Sequence, residues 1–217
     1  MTPFPLALSA PSGGGKTTIA YALVAAREDV GYSVSATTRP PRAKERDGTD
    51  YHFLSRETFE GKVRAGEFLE WAEYSGELYG TLEAEVDKVI ASGRHVVLDI
   101  TIQGARAVRE HYPDAVLVFV VPPSADELMQ RLGGTQGSRA ASLVSRLRTA
   151  VAELGEAQAY DYVVINADRT EAVAQVAAIL DAESRRPRRN PDLAEDLAQL
   201  GRDIGALADR LAAKKEA

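Results

Sequence analysis

The chain has 217 residues, 45% hydrophobic and 27% charged, a globular balance that excludes wholesale disorder and fibrous repeats and suits one domain with a short appendage. It has no cysteine, which excludes disulfides, thiol nucleophiles and thiolate zinc sites, and its three histidines, His52, His95 and His111, are too far apart for a local metal motif. Against 26 Lys and Arg stand 32 Asp and Glu, so nucleic acid is not an expected partner and any bound anion needs a local cluster of donors. Met1 to Pro5 lack the basic start and apolar stretch of a signal peptide, and no run approaches the length of a membrane span. These features predict a soluble, cytoplasmic protein without a membrane partner.

In chain order, short β-like runs alternate with amphipathic segments, the signature of an α/β fold. Phe4 to Ala10 is an apolar run that ends in a glycine cluster, and Ile19 to Arg27 continues with helical periodicity. From about Arg39 to Thr81 the alternation breaks. Two β-rich pieces, Tyr51 to Ser55 and Phe68 to Tyr74, flank one helical stretch, Arg56 to Arg64, as in an inserted subdomain. His95 to Ile100 and Ala115 to Val121 are nearly all apolar, as expected of central parallel strands covered on both faces, and Tyr162 to Asn166 makes another run. Between and after them, Gln103 to His111, Ser124 to Leu132, Ser138 to Leu154 and Arg169 to Leu180 read as helices.

The tail differs. Residues 184–191, S-R-R-P-R-R-N-P, read as a basic, proline-broken linker ahead of an amphipathic helix over 192–217. Leu193, Leu197, Leu200, Ile204, Leu207 and Leu211 step by four and three residues, which puts one apolar stripe on that helix. Asn190 is expected to cap it with Pro191 at its first position, and Lys214 and Lys215 complement its dipole. The stripe suits either a homodimer contact or docking back onto the same chain.

The strongest chemical signal is residues 10–18, A-P-S-G-G-G-K-T-T. In a phosphate-binding loop, backbone N–H groups of Ser12, Gly13, Gly14 and Gly15 cradle phosphates, Lys16 reaches the terminal ones, and the Thr17 hydroxyl meets Mg²⁺, with Thr18 following. Ala10 stands where the first glycine of the pattern belongs. An apolar strand before and a helix after supply the required context, so ATP or GTP binding is expected.

Further motifs share one register with this loop. They are S-A-T-T-R-P-P-R over 35–42, Asp47-Gly48, Tyr51-His52-Phe53, G-E-F-L-E over 66–70, Tyr79-Gly80-Thr81, Leu98-Asp99-Ile100 with Gln103-Gly104-Ala105, and Pro122-Pro123-Ser124. Together they closely resemble the guanylate kinases over essentially Leu6 to Leu180. The resemblance implies a P-loop kinase with a five-stranded parallel sheet flanked by helices, an inserted α+β subdomain for GMP and a lid. Its boundaries become a core of 1–38 and 82–183, an insert of 39–81 and a lid of about 133–142. The implied reaction is transfer from ATP to GMP, with dGMP as a further candidate acceptor, with Mg²⁺, in purine nucleotide metabolism.

The resemblance also implies roles. Arg39 and Arg42, with Tyr51 and Tyr79, would bind the GMP phosphate, which guanidinium forks grip well. Glu70 would accept from the ring N–H and exocyclic amine of guanine, with Ser35 and Thr81 as small hydroxyl contacts. An adenine, presenting a lone pair instead of that N–H, would leave the carboxylate unpaired. Asp99 would orient Mg²⁺ through water, although such a residue could equally cap a helix at a strand end. Lys16, Arg39, Asp99 and Arg146 are the expected catalytic set.

Two departures stand out. Thr101 occupies the place of a second aspartate, which keeps a hydroxyl but loses a charge toward guanine. Gly133 and Thr135 occupy the places of two lid arginines, cations worth roughly three to five powers of ten in phosphoryl transfer. Arg131, Arg139, Arg146 and Arg148 remain, and Arg139 is a candidate replacement. A non-catalytic binding module, or a kinase for another phosphorylated acceptor, is the alternative reading.

Overall fold

The computed structural model describes residues 2–74, 76–133 and 140–213. The chain divides into two compact units. Pro3–Leu180 form the larger one, and Thr2 with the described residues from Asp181 onward form the smaller.

The larger unit is built on a five-stranded sheet. In chain order its strands are β1 (Pro5–Ser9), β2 (Val30–Tyr32), β7 (His95–Asp99), β8 (Val116–Val121) and β9 (Tyr162–Ile165), and in space they run β2-β7-β1-β8-β9, all parallel. Successive residues face opposite ways, so Leu6, Leu8, Val97, Val116, Val118 and Val120 fill one core while Ala7, Val96, Leu98 and Leu117 fill the other. The helix α1 (Lys16–Ala26) and α7 (Arg169–Ser184), the latter through residues up to Leu180, cover the first face. The helices α3 (Glu83–Ala91) and α4 (Ile102–His111) cover the second. The expected runs are therefore strands, with one qualification: β9 lies at the edge, where Val163 and Ile165 are exposed. The reading of the sequence assigned neither β2 nor α3. β2 is a three-residue edge strand containing Gly31, and α3 buries only Val86 and Val89, so both carry too little periodicity.

Between β2 and α3 lies a second sheet, ordered β4-β3-β6-β5, from β3 (Ala36–Thr37), β4 (His52–Phe53), β5 (Phe68–Tyr74) and β6 (Glu77–Leu82). The helix α2 (Arg56–Arg64) closes over it, and Phe59, stacked on Phe68 at 4.3 Å, is the centre of a small separate core. Ser55 caps α2 by accepting from Thr58 N at 3.1 Å. The register of β5 slips against β6 between Phe68, opposite Leu82, and Glu70, opposite Thr81. Such a bulge re-aims the side chains that follow it.

Among the described residues the larger unit also holds α5 (Ala125–Gly133) and α6 (Ala140–Leu154), which share a core of Leu128, Leu132 and Ala150, and a 3₁₀ helix, Gly155–Ala159, that follows α6. Thr135 and Arg139, and with them most of the expected lid, lie outside the described residues.

In the smaller unit the expected linker is a packed turn. Pro187–Arg189 form a 3₁₀ helix, Thr2 N donates to Arg189 O at 2.9 Å, and Arg189 is buried with its guanidinium 3.3 Å from the buried carboxylate of Glu183. Pairing makes the burial of Arg189 tolerable, while Arg185, Arg186 and Arg188 stay exposed. The helix α8 (Leu193–Ala213) begins later than expected. Asn190 is not its side-chain cap: the amide donates to Ser184 O and Arg186 O, both at 3.0 Å, and Pro191 lies in the turn ahead of the helix. Lys214 and Lys215 lie outside the described residues. Among the described residues no helix is long and apolar enough to cross a membrane.

Candidate functional site

β1 lies between β7 and β8, at the point where the strand order reverses, and its carboxyl end runs straight into the glycine loop. Open α/β sheets bind ligands at such a switch point. Gly15 precedes α1 at φ 95°, a left-handed conformation, and a Cβ there would meet Asn166 Nδ2 at 2.3 Å. No side chain caps α1, which leaves its first N–H groups as donors for an anion. Ala10 is accommodated because Gly14 has no side chain: a Cβ on Gly14 would lie 2.7 Å from the Ala10 methyl. A groove of about 600 Å³ runs along residues 11–18, with Arg131, Asn166 and Arg169 on its far wall.

Lys16 and Thr17 project from the first turn of α1 toward Asp99 at the end of β7. Lys16 Nζ donates to Asp99 Oδ1, and the Thr17 hydroxyl donates to Asp99 Oδ2. Thr101, not Asp99, caps α4. A hydroxyl and a carboxylate side by side are hard oxygen donors that suit Mg²⁺, an ion that completes its octahedron with water and substrate phosphates. Among the described residues no cluster of three or more His, Cys, Asp or Glu is arranged to hold a metal.

Two further cavities adjoin this point. One, of about 360 Å³, is lined by Thr17, Arg39, Arg42, Glu45, Tyr51 and Tyr79 among others, so the expected phosphate-binding quartet is brought together. Arg39 is held by a residue that the sequence reading passed over. Its Nη1 and Nη2 donate to Glu45 Oε2 and Oε1, both at 2.9 Å, and Arg42 N donates to the same carboxylate at 2.7 Å. The Arg39 guanidinium holds the Glu45 carboxyl below its ordinary range. Arg39 also lies over the Tyr51 ring, 5.5 Å from its centroid. The Arg42 side chain remains mostly exposed.

The other cavity, of about 250 Å³, brings together Ser35, Tyr51, Glu70, Tyr79, Thr101, Lys16, Thr17 and Asp99. Glu70 is part of its lining. The buried Thr81 donates its hydroxyl to Glu70 Oε1 at 2.7 Å, and burial pushes the Glu70 carboxyl up, partly offset by Thr81 and the Lys16 charge. The start of α4 presses on this carboxylate: a Cβ on Gly104 would lie 2.9–3.0 Å from Glu70 Cγ, Cδ and Oε2. Thr101 faces the same cavity, but its Oγ1 already accepts from Gly104 N at 3.1 Å. The hydroxyl keeps its proton to give, so a neutral group stands where the resemblance implied a second aspartate toward guanine, and the cavity's carboxylates are Glu70 and Asp99.

From α6, Arg146 reaches the loop and donates to Ser12 Oγ, from Nη2 at 2.9 Å and from Nε at 3.3 Å. Ser12 N donates to Glu153 Oε2 at 3.4 Å. Two more residues of the loop's far wall were missed or undervalued. Asn166, buried at the end of β9, donates from Nδ2 to Gly14 O at 2.9 Å. Arg131 donates to Asn166 O at 2.9 Å and to Gly14 O at 3.5 Å, steadied by Glu127 at 2.9 Å. An Asn directly after an apolar strand was the available signal, and only packing reveals its partner. Gly133 ends α5 and is exposed.

The chain as a whole is similar to known proteins. The profile of the guanylate kinase family covers residues 3–183. A guanylate kinase of Symbiobacterium thermophilum is 48% identical over 185 residues, 85% of this chain and 88% of the relative. One from Myxococcus xanthus is 42% identical over 92% of this chain and 94% of its own. The crystal structure of guanylate kinase from Anaplasma phagocytophilum superposes with a TM-score of 0.73 at 33% identity, covering 89% of this chain and 93% of that one. A profile over residues 3–183, relatives 42–48% identical over most of the chain and a crystal structure at a TM-score of 0.73 agree, and the chain therefore belongs to the guanylate kinase family.

Proposed function

We propose that the protein transfers the γ-phosphoryl group of ATP to GMP, producing ADP and GDP. A single observation carries the reading: Lys16 and Thr17 line both the groove along the glycine loop and the cavity that contains Glu70. A donor in the groove and an acceptor in the cavity would therefore meet at these two residues. The same pair argues against a non-catalytic binding module, and Glu70 with its Thr81 hydrogen bond favours guanine over a sugar phosphate acceptor.

In this mechanism a phosphate oxygen of GMP attacks Pγ while the bond from Pγ to the bridging oxygen of ADP breaks, and no covalent enzyme intermediate forms. Backbone N–H groups of Gly13, Gly15, Lys16 and Thr17 hold the donor phosphates, since Gly14 N donates to Pro11 O at 2.8 Å and Ser12 N to Glu153, and Lys16 turns from Asp99 to the transferring group. Arg39 and Arg42, with Tyr51 and Tyr79, orient the acceptor phosphate, for which Arg39 must exchange Glu45 for a more highly charged partner. Glu70 accepts from the guanine edge, and Ser35 and Thr101 supply hydroxyls beside it. Arg146, already at Ser12, adds positive charge at the donor. Thr17, and Asp99 through water, would hold Mg²⁺, which supplies neutralisation of the β- and γ-phosphate charge. Nothing in the proposed guanine contacts requires the ribose 2′-hydroxyl, so dGMP is a proposed acceptor too. A cytoplasmic enzyme of purine nucleotide metabolism is the proposed setting.

The test is ADP release from ATP and Mg²⁺ with GMP, AMP, UMP or no acceptor. GMP alone is expected to support turnover, and Lys16→Ala to reduce kcat by roughly 10²- to 10³-fold, the scale of losing one preorganised donor. Equal turnover with AMP, or none with GMP, would overturn the assignment.

A further inference from the structure

The proposed mechanism makes no use of the apolar row on α8. Leu197, Leu200, Ile204, Leu207 and Leu211 are 49–58% exposed, and Leu193 continues their row. Asp196, Asp203 and Arg210 flank it on one side at seven-residue intervals, and Ala194, Gly201 and Ala208 flank it on the other. We propose that α8 is a homodimerisation helix that pairs antiparallel with α8 of a second copy of this chain.

The charge pattern selects both the partner and the direction. In one antiparallel register Leu193 meets Leu211 of the second copy, Leu197 meets Leu207 and Leu200 meets Ile204, so all six apolar residues are paired. The same register sets Asp196 against Arg210 of the second copy, twice by symmetry, on the charged flank. On the opposite flank Gly201 meets its own symmetry mate, where the small residues let the backbones approach. The flanking positions of paired helices govern orientation through such contacts. A parallel pair would instead set Asp196 opposite Gly201 and Asp203 opposite Ala208, with no ion pair formed. Antiparallel helix dipoles add to the preference. One cost lies at the dyad, where Asp203 faces its mate, although Gln199 Nε2 donates to that carboxylate at 2.9 Å. A helix of 21 residues is about 32 Å long, and Gly201 and Gly205 weaken it, so the dimer is concentration-dependent rather than permanent.

Sedimentation equilibrium of the full chain over a dilution series tests this, with single-cysteine cross-linking in a sequence that has no cysteine of its own. A reversible monomer–dimer equilibrium is expected, abolished by Leu200→Asp. Arg210→Asp should raise the dissociation constant by about tenfold, and adding Asp196→Arg should restore it. Oxidised Gly201→Cys should give a disulfide-linked dimer, since a parallel pair would hold these residues on opposite sides of the seam. Far-UV circular dichroism and GMP-dependent turnover, both unchanged, show that the variants remain folded. A monomer at every concentration, as when the row packs on its own chain or serves a different protein, would overturn the proposal. So would a dimer that survives Leu200→Asp, or a dimer in which Gly201→Cys fails to cross-link.

Discussion

Glu70 joins a recognition requirement to an electrostatic cost. In its proposed role the carboxylate must be ionised to accept from a guanine edge, yet burial raises its pKa against the pull of Thr81 and Lys16. For an acid whose folded pKa lies above its unfolded value, the native state carries no penalty at low pH and loses stability as pH rises through the folded value. Glu70→Gln should therefore match the wild type in thermal stability below the ordinary glutamate range and exceed it near neutrality. The same variant should lose about 10- to 100-fold in kcat/KM for GMP, as expected for a lost hydrogen bond to a charged group. Denaturation scans at two pH values with parallel kinetics check both, and a stability gain that grows on acidification would contradict the sign. The sequence made Glu70 legible through its motif. Glu45 was not legible, because its hold on Arg39 depends on a loop folding back over six residues, and nothing in the residue type announces it.

At the scale of elements, the acceptor cavity depends on two close approaches. The bulge in β5 sets Glu70 opposite Thr81, and α4 begins hard against the same carboxylate, with Gly104 at the contact. Gly104→Ala forces a methyl to within about 3 Å of Glu70, which cannot swing away without leaving Thr81. The expected result is a KM for GMP raised roughly tenfold or more with the KM for ATP little changed, since misplacing a binding group by about an ångström costs up to two powers of ten. Steady-state kinetics with each substrate varied in turn separates the two, and equal effects on both KM values would mean general disruption. Helices such as α2 were readable from local spacing to their ends. The start of α8 was not, because Asn190 satisfies its amide on the preceding carbonyls instead of capping the helix.

For the whole molecule, the groove and the cavities should be measurable as stability without any turnover. A ligand that binds only the native state at 100 times its Kd adds about 2.7 kcal/mol. For a chain of this length that corresponds to a rise of roughly 5–10 °C in Tm. ATP and GMP are each expected to produce such a shift in the absence of Mg²⁺, whereas UMP should not, and differential scanning calorimetry reads all three. A shift with UMP as large as that with GMP would show a cavity that binds phosphate without reading the base. The sequence by itself determined the α/β class, the glycine loop and its context, the register of the family's motifs and the apolar row on α8. All of these are local, since strand and helix periods and loop composition are properties of neighbouring residues. Tertiary structure alone decided that Asp99 receives Lys16 and Thr17, that Asn166 and Arg131 converge on Gly14 O, and that Thr101 spends its lone pair on α4. It also turned the basic stretch before α8 into a packed turn around the buried pair of Glu183 and Arg189. Each of these decisions rests on which hydrogen-bonding group reaches a given atom first, and that competition is settled by packing between segments far apart in the chain.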